Sequence, residues 1–544
     1  MKKTLQVLTT ILIITFSSTA QNLDWLKQVG STGNESSQQI ATDNQGNIFI
    51  AGNTSSDSLS VYGTTISTMG NSLNKIFIVK CDSATNILWA NFYSSSGLSL
   101  ISDICVDQQG NCVVIGVLFD SLFIFNDTLT APTFDPTGYM LSINSGGGLN
   151  WHKHLASTCE LNPSKVVTDY YGNIYTCGRF FCNGQFDTIS VNTYGYQNFY
   201  IAKFSSGGNG LWVKNGTGRN MRTLDYSSTG IVSACTQYID TLTVGNTTIY
   251  ANNPYETSAI ISYDSTGNLE LIMNIGHAAT GSSSSFITGL SSDLLNNLYI
   301  SGTFDSTNIF MDTIINSYGE NDLFIIKLNS NSMDYSFSKF GGLHNDLSNS
   351  LFTNDYGVSY LCGSFPGAIS FEGNWYFTAG TTGLFICRLD SSLNVEWVMH
   401  SDNNYTSEAS DFSLAQNGSL FVTGTMNGPL DWANWNLNTF GAEDIWVAQI
   451  SDLSMGSGVK LNQIAQGIKI YPNPSTGSIT INELPELPGT IELYDLQGKM
   501  VSTIKKEILT KELEMKLPFQ SGVYMIRFIS EDKTKIRYGK LVRN

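Results

Sequence analysis

The stretch DNQGNIFIAG, Asp43 to Gly52, decides the fold because it returns along the chain. It reappears as DQQGNCVVIG (Asp107 to Gly116) and DYYGNIYTCG (Asp169 to Gly178), then as STGIVSACT around Gly230, LLNNLYISG ending at Gly302, DYGVSYLCG ending at Gly363 and AQNGSLFVTG ending at Gly424. Gly178 to Gly302 spans 124 residues, two periods of 62, with a degenerate fourth copy between them in which Thr236 stands in place of the glycine. A second signature is an apolar run: IFIVKCDS (Lys80), YMLSINS (Ser142), YIAKFSS (Lys203), AIISYDS (Ser262), FIIKLNS (Lys327), FICRLDS (Arg388) and WVAQISD (Gln449), in steps of 62, 61, 59, 65, 61 and 61 residues. A third is an aromatic anchor at Trp89, Trp151, Trp212 and Trp397, with Leu271 and Tyr335 near the intervening positions and Trp25 about one period before Trp89. Each signature occurs seven times, and repetition at a fixed period means stacked copies of one unit.

The units are built of strands. The runs are short, rich in Ile, Val, Phe and Tyr, and punctuated by Gly, Asn and Asp. D-x-x-G-N reads as a hairpin turn whose glycine takes the left-handed conformation. Calcium ligation by the same Asp and Asn would need more carboxylates close together than one per turn. Each period then holds an inner strand, the G-N strand, a longer excursion, the apolar strand and the Trp strand. Seven four-stranded blades suit a β-propeller, the excursion explaining why the period exceeds the common repeat length. The chain opens on a Trp strand, Leu23 to Val29, that lacks a blade, and the last repeat stops after its third strand at Gln449. Pairing the two closes the ring and removes two open sheet edges.

The pattern D-x-x-G-N-apolar-aromatic-x-x-G, followed by apolar-K-x-D-S and Trp, resembles the seven-bladed β-propeller repeat family of exported bacterial proteins. After a Ser-, Gly- and Gln-containing linker come IKIYPNPSTGSITI, TIELYDLQGKMV and SGVYMIRF, alternating strands that argue for a small Ig-like β-sandwich. Their Tyr471, Pro472, Asn473, Pro474 and Gly477, then Tyr494, Asp495, Gly498 and Lys499, then Gly522, Val523 and Tyr524, resemble the C-terminal sorting domain of cargo of the type IX secretion system of Bacteroidetes. That resemblance implies passage through the Sec pathway, recognition of this domain by the secretion machinery at the outer membrane, and its removal at the cell surface. Read without a receptor, YPNPSTG is a proline-rich turn.

The N-terminus agrees with export. Lys2 and Lys3 precede the apolar stretch Leu5 to Phe16, and Ser18 and Ala20 suit cleavage after Ala20. The expected organisation is a signal peptide at 1–20, an all-β seven-bladed propeller at 21–452, a linker at 453–467 and the sorting domain at 468–544. Charge supports a boundary near 460: residues 21–460 carry 14 basic and 36 acidic groups, residues 461–544 carry 12 and 9. With a formal charge of −17, nucleic acid is excluded as a main partner. No later apolar run is long enough to span a bilayer in the mature chain.

Nine cysteines precede residue 400. Cys177, Cys235 and Cys362 share one register and are expected as small buried hydrophobes. Cys105 and Cys112 flank a hairpin turn and are the best disulfide candidates. His152 and His154 share one strand face but lack further ligands, so no metal and no cofactor is expected. The turns INSGGGLNW, FSSGGNGLW and LDSSLNVEW loosely resemble the Asp-box turns of sialidase propellers, yet Arg179, Arg219, Arg222 and Arg388 are the only arginines of residues 21–452. No GxSxG or P-loop motif is present, and no catalytic residue is assigned. What remains is a binding face on the rim shared by the loops leading into inner strands and those after second strands. Its candidates are Asn34 and Glu35, Arg219 and Arg222, Asn345 and Asp346, and Asn403, Tyr405 and Glu408. The expectation is a non-catalytic binding or structural protein for a glycan, matrix or protein ligand. A polysaccharide hydrolase at the rim is the alternative.

Overall fold

The computed structural model describes residues 22–451 and 469–543, apart from short segments at 69–73, 132–134, 195–196, 252–253, 472–474, 476–477, 485–486, 495–499, 507–512, 517–521 and 531–535 and single residues at 220, 282, 403, 416 and 483. The signal segment, the linker, Asn403, and Pro472, Asn473, Pro474, Gly477 and Gly498 of the sorting motifs therefore lie outside the described residues. Every regular element described is a strand.

The first blade runs Glu35–Thr42, Ile48–Thr54, Lys75–Cys81 and Ile87–Ser94, antiparallel and in that order. The same meander recurs behind inner strands Ser99–Val106, Leu161–Thr168, Met221–Tyr226, Ser285–Ser292, Leu347–Thr353 and Ser407–Leu414, giving seven four-stranded meanders among the described residues, several joined into wider sheets by hairpins. In the seventh, Ser407–Leu414, Ser419–Met426 and Asp444–Ser451 are completed by Asn22–Gly30, with Leu26 opposite Ala448 and Val29 opposite Ile445. The last inner strand returns to the first: the Ile40 amide donates to Asp411 Oδ2 at 3.2 Å, and the Thr42 and Ser413 hydroxyls meet at 2.8 Å. The ring is closed, as the unpaired first strand and the truncated last repeat require.

Second and third strands such as Ile48–Thr54 and Lys75–Cys81 are buried along their whole length, since a neighbouring blade covers each face. Their sequences are consequently continuous apolar runs rather than alternating ones. The core is divided among the seams. Phe49, Ile76, Val114 and Tyr139 pack between the first two blades, and Val29, Ile40, Phe421 and Val447 between the seventh and first.

The recurring glycine answers a β-bulge in the inner strand, as between Ser36 and Gln39 or between Ala409 and Asp411. The bulge presses a carbonyl onto the glycine, so a Cβ at Gly302, Gly363 or Gly424 would collide with Phe286 O, Leu347 O or Glu408 O. The fourth blade keeps the bulge but carries Thr236, whose Oγ1 sits against Gly218. At the hairpin turn, Asp43 Oδ1 accepts the Gln45 and Asn47 amides at 2.9 Å, Oδ2 accepts Asn47 Nδ2 at 2.8 Å, and Gly46 has φ +80. The turn carboxylate is thus spent on its own backbone, with Lys80 Nζ 3.0 Å away. The Trp signature locks seams: Trp89, Trp151 and Trp212 donate Nε1 to Ser145 O, Ser206 O and Ser265 O of the following blade, at 3.0, 3.0 and 3.2 Å.

Two features differ from expectation. The excursion is a β-hairpin that crosses to the preceding blade: Ser58–Val61 pairs with Asn22–Gly30, Gly184–Phe186 with Leu149–Ser157, and Ala368–Phe371 with Tyr335–Gly342. The disulfide joins Cys159 and Cys182, while Cys105 and Cys112 are free. Cys105 faces Val113 and Cys112 faces Val106 across the strand pair, so the two thiols project from opposite faces of the sheet and cannot meet. Cys177, Cys235 and Cys362 are buried as expected.

In the C-terminal region Lys469–Tyr471, Ser478–Asn482 and Leu513–Lys516 form one sheet, and Met500–Lys506, Gly489–Tyr494, Gly522–Ser530 and Ile536–Arg543 the other. Ile479, Ile481, Ile491, Leu493, Ile526 and Phe528 fill the space between them. Tyr524 is buried and Tyr471 exposed.

Candidate binding cleft on the propeller rim

The described candidates lie just before or within inner strands, and the structure divides them. Where the ring closes, a cleft of ≈ 260 Å³ is lined by Asn34, Thr406, Glu408, Thr425, Asn427, Ala442 and Glu443. Asn34 precedes the first inner strand, and Glu408 lies in the seventh, opposite Thr425 of the second strand. Glu443 precedes the third strand, Asp444–Ser451, and its carbonyl accepts the Glu35 amide at 3.1 Å. Asn427 Oδ1 accepts the Thr406 amide at 3.1 Å, which fixes the wall after the second strand. Burial and the nearby Glu443 carboxylate raise the pKa of Glu408. Tyr405, beside Thr406, is exposed and packs against Gly428.

Glu35, next to Asn34 in the chain, is 0% exposed and so differs from the exposed ligand group expected of it. Ser31 Oγ and Thr54 Oγ1 donate to its Oε1 at 2.5 and 2.8 Å, and the Ser31 amide donates to Oε2 at 2.8 Å. Desolvation, together with hydrogen bonding to the Asp444 carboxyl and its charge, raises its pKa to about 7. Asp444 accepts Gln28 Nε2 at 2.7 Å, tying the acid pair to the closing strand.

The same arrangement recurs between the fifth and sixth blades. Asp346 is 0% exposed, accepts the Gly342 amide at 2.6 Å as Glu35 accepts that of Ser31, and faces Asp322, which accepts the Tyr318 amide at 2.6 Å. Burial and then the charge of Asp322 push Asp346 up to about 8. Neither Asp346 nor Glu35 meets solvent; their inward side chains hold seams. Asn345 Oδ1 is taken by Asn321 Nδ2 at 2.5 Å. Arg219 and Arg222 are exposed at the fourth blade, outside the cleft, while Arg179 pairs with Glu160 and Arg388 with Glu396. His152 Nε2 is 2.8 Å from Asp127 Oδ2, and burial lowers the pKa of His154.

The cleft thus unites Asn34 and Glu408 with Glu443, Asn427, Thr406 and Thr425, which sequence reasoning passed over. Their signal was positional: each sits at the rim end of a strand in the blade that closes the ring. The cleft offers carboxylates, carboxamides and hydroxyls, the groups that hydrogen-bond a hydroxyl-rich ligand.

A closed ring of repeated four-stranded sheets with a polar cleft on its rim defines a β-propeller protein. A family model described as a β-propeller repeat matches residues 24–60, and one described as a secretion system C-terminal sorting domain matches residues 469–542. The chain is a secreted or cell-surface β-propeller protein that carries a type IX sorting domain. Among the described residues no helix is long and apolar enough to cross a membrane.

An uncharacterised WD repeat-containing protein of Acanthamoeba polyphaga mimivirus is 22% identical over 86% of this chain. The chain spans 40% of that relative's length. Among solved structures, a protein of unknown function from Dyadobacter fermentans has a TM-score of 0.40 at 8% identity, covering 79% of this chain and 99% of its own. An α-L-arabinanase of Penicillium chrysogenum has a TM-score of 0.36 at 9% identity, covering 80% and 99%.

Proposed function

We propose that this exported propeller is a non-catalytic binding protein whose ligand is a glycan of the cell surface or surrounding matrix, held in the cleft where the ring closes. The observation that supports it is the meeting of Asn34, Glu408, Asn427 and Glu443 in one cleft near the size of a small-molecule site. Loops on a rigid scaffold are where binding resides. A glycan and matrix array probed with the chain from Gln21 onward tests this. Loss of the signal with Asn34→Ala and Asn427→Ala is expected, and an unchanged signal would overturn the site.

A second reading, a polysaccharide hydrolase, is favoured by the raised Glu408 beside Glu443, since glycoside hydrolysis uses one protonated and one ionised carboxyl. Release of reducing ends from a polysaccharide panel, abolished by Glu408→Gln and by Glu443→Gln, would establish it. For delivery, we infer cleavage after Ala20 and removal of residues 468–544 at the surface. Mass spectrometry of the secreted product reads both ends.

A further inference from the structure

Resting on that glycan reading, we infer that the cleft selects a saccharide carrying a protonated amine, the de-N-acetylated amino-sugar class, over neutral or acidic sugars. Charge makes the first part of the case. Two carboxylates, Glu408 and Glu443, line the cleft, and no Lys, Arg or His is among the lining residues. The neighbouring Glu35 and Asp444, next in the chain to Asn34 and Glu443, do not line the cleft, and their oxygens are already taken by Ser31, Thr54, Gln28 and Phe440. The ionisable side chains among the lining residues are therefore the two carboxyls, with the phenol of Tyr405 beside Thr406. An acidic sugar would add to the repulsion, and a neutral one would leave it in place. An ammonium supplies three donors and one positive charge to the two carboxylates.

Volume makes the second part. At ≈ 260 Å³ the cleft is far larger than a bare ion needs and approaches the size of a small-molecule site, with room for a sugar ring. Asn34, Asn427, Thr406 and Thr425 surround the carboxylates with groups suited to ring hydroxyls, and the exposed Tyr405 borders the same wall. Burial and then the Glu443 charge raise the pKa of Glu408, so binding of an ammonium strengthens as pH rises and that carboxyl ionises.

The test is calorimetric titration of the purified full-length chain with oligomers of glucosamine, of N-acetylglucosamine and of a uronic acid, at pH 5 and pH 7, with and without calcium. At least tenfold tighter binding of the glucosamine oligomer than of its acetylated counterpart is expected at pH 7, narrowing at pH 5. Glu443→Gln and Glu408→Gln, neutral and of the same shape, each should remove that preference while leaving the melting temperature near that of the parent. Equal binding of the glucosamine and N-acetylglucosamine oligomers, lost with Asn34→Ala, would keep the glycan reading and overturn the amine preference. Binding only with calcium present would overturn the amine preference too. Binding of no oligomer at all would overturn both.

Discussion

Trp25 and Gln449 lie 424 residues apart in sequence and opposite one another in the seventh blade, with Trp25 Nε1 donating to Gln449 Oε1 at 2.6 Å. Trp89 stands in the same register to Lys80, Trp151 to Ser142, Trp212 to Lys203 and Trp397 to Arg388. The first strand of the chain is therefore the outer strand of the last repeat, displaced to the other end of the sequence. Its partner is fixed by the period of the repeat, and its burial by Leu23, Leu26 and Val29.

The two buried acid pairs set a pH dependence. Folding raises Glu35 from 4.5 to about 7 and Asp346 from 3.8 to about 8, so the fold favours their protonated forms. Their contribution to stability is full below the ordinary carboxyl pKa and is lost as pH rises through the folded values. The melting temperature should fall between pH 5 and pH 9, and Glu35→Gln with Asp346→Asn should flatten that fall. A parent melting temperature that rises across this window would contradict the assignment. Turn carboxylates such as Asp43, whose pKa is lowered, act in the opposite sense and only in acid.

Glycines of the repeat should separate by mechanism. Gly424→Ala and Gly302→Ala drive a methyl into a bulge carbonyl and should each cost about 1–3 kcal/mol or more by denaturant titration. Gly46→Ala meets nothing within 4 Å and carries only left-handed strain, about 1 kcal/mol. Equal losses at Gly46 and Gly424 would show that the bulge contact is not what demands glycine.

Thiol titration of the denatured, unreduced chain should find the seven free cysteines, with Cys159 and Cys182 unreactive. Nine reactive thiols would exclude the bridge. Reduction should cost about 3 kcal/mol, the chain-entropy value for a loop with a sequence separation of 23.

The blade count and the closing strand were legible because apolar runs, turns and Trp anchors each repeat at one period. The hairpins were not, because four-residue strands such as Ser58–Val61 and Thr64–Ser67 are polar and too short to show alternation. Their partner is also a different repeat. The disulfide was missed because flanking a turn says nothing about face: Cys105 and Cys112 are separated by the pleat, whereas Cys159 and Cys182 come together from the ends of two strands. Asn34 and Glu408 were visible as rim residues. That Glu35, one residue along, turns inward depends on strand alternation and on Asp444 from the far end of the chain. Glu443 became visible only once the seventh blade was closed.

Thermal unfolding of the chain from Gln21 onward, compared with the same chain lacking residues 22–30, tests the closure most directly. The deletion removes Leu23, Leu26 and Val29 from the core, at about 1.5–3 kcal/mol each, and opens the edge of Asp444–Ser451. That sum is comparable with the whole stability of a domain. The closed ring predicts a large drop in melting temperature together with aggregation and rapid proteolysis; a shortened chain that melts with the parent would contradict it.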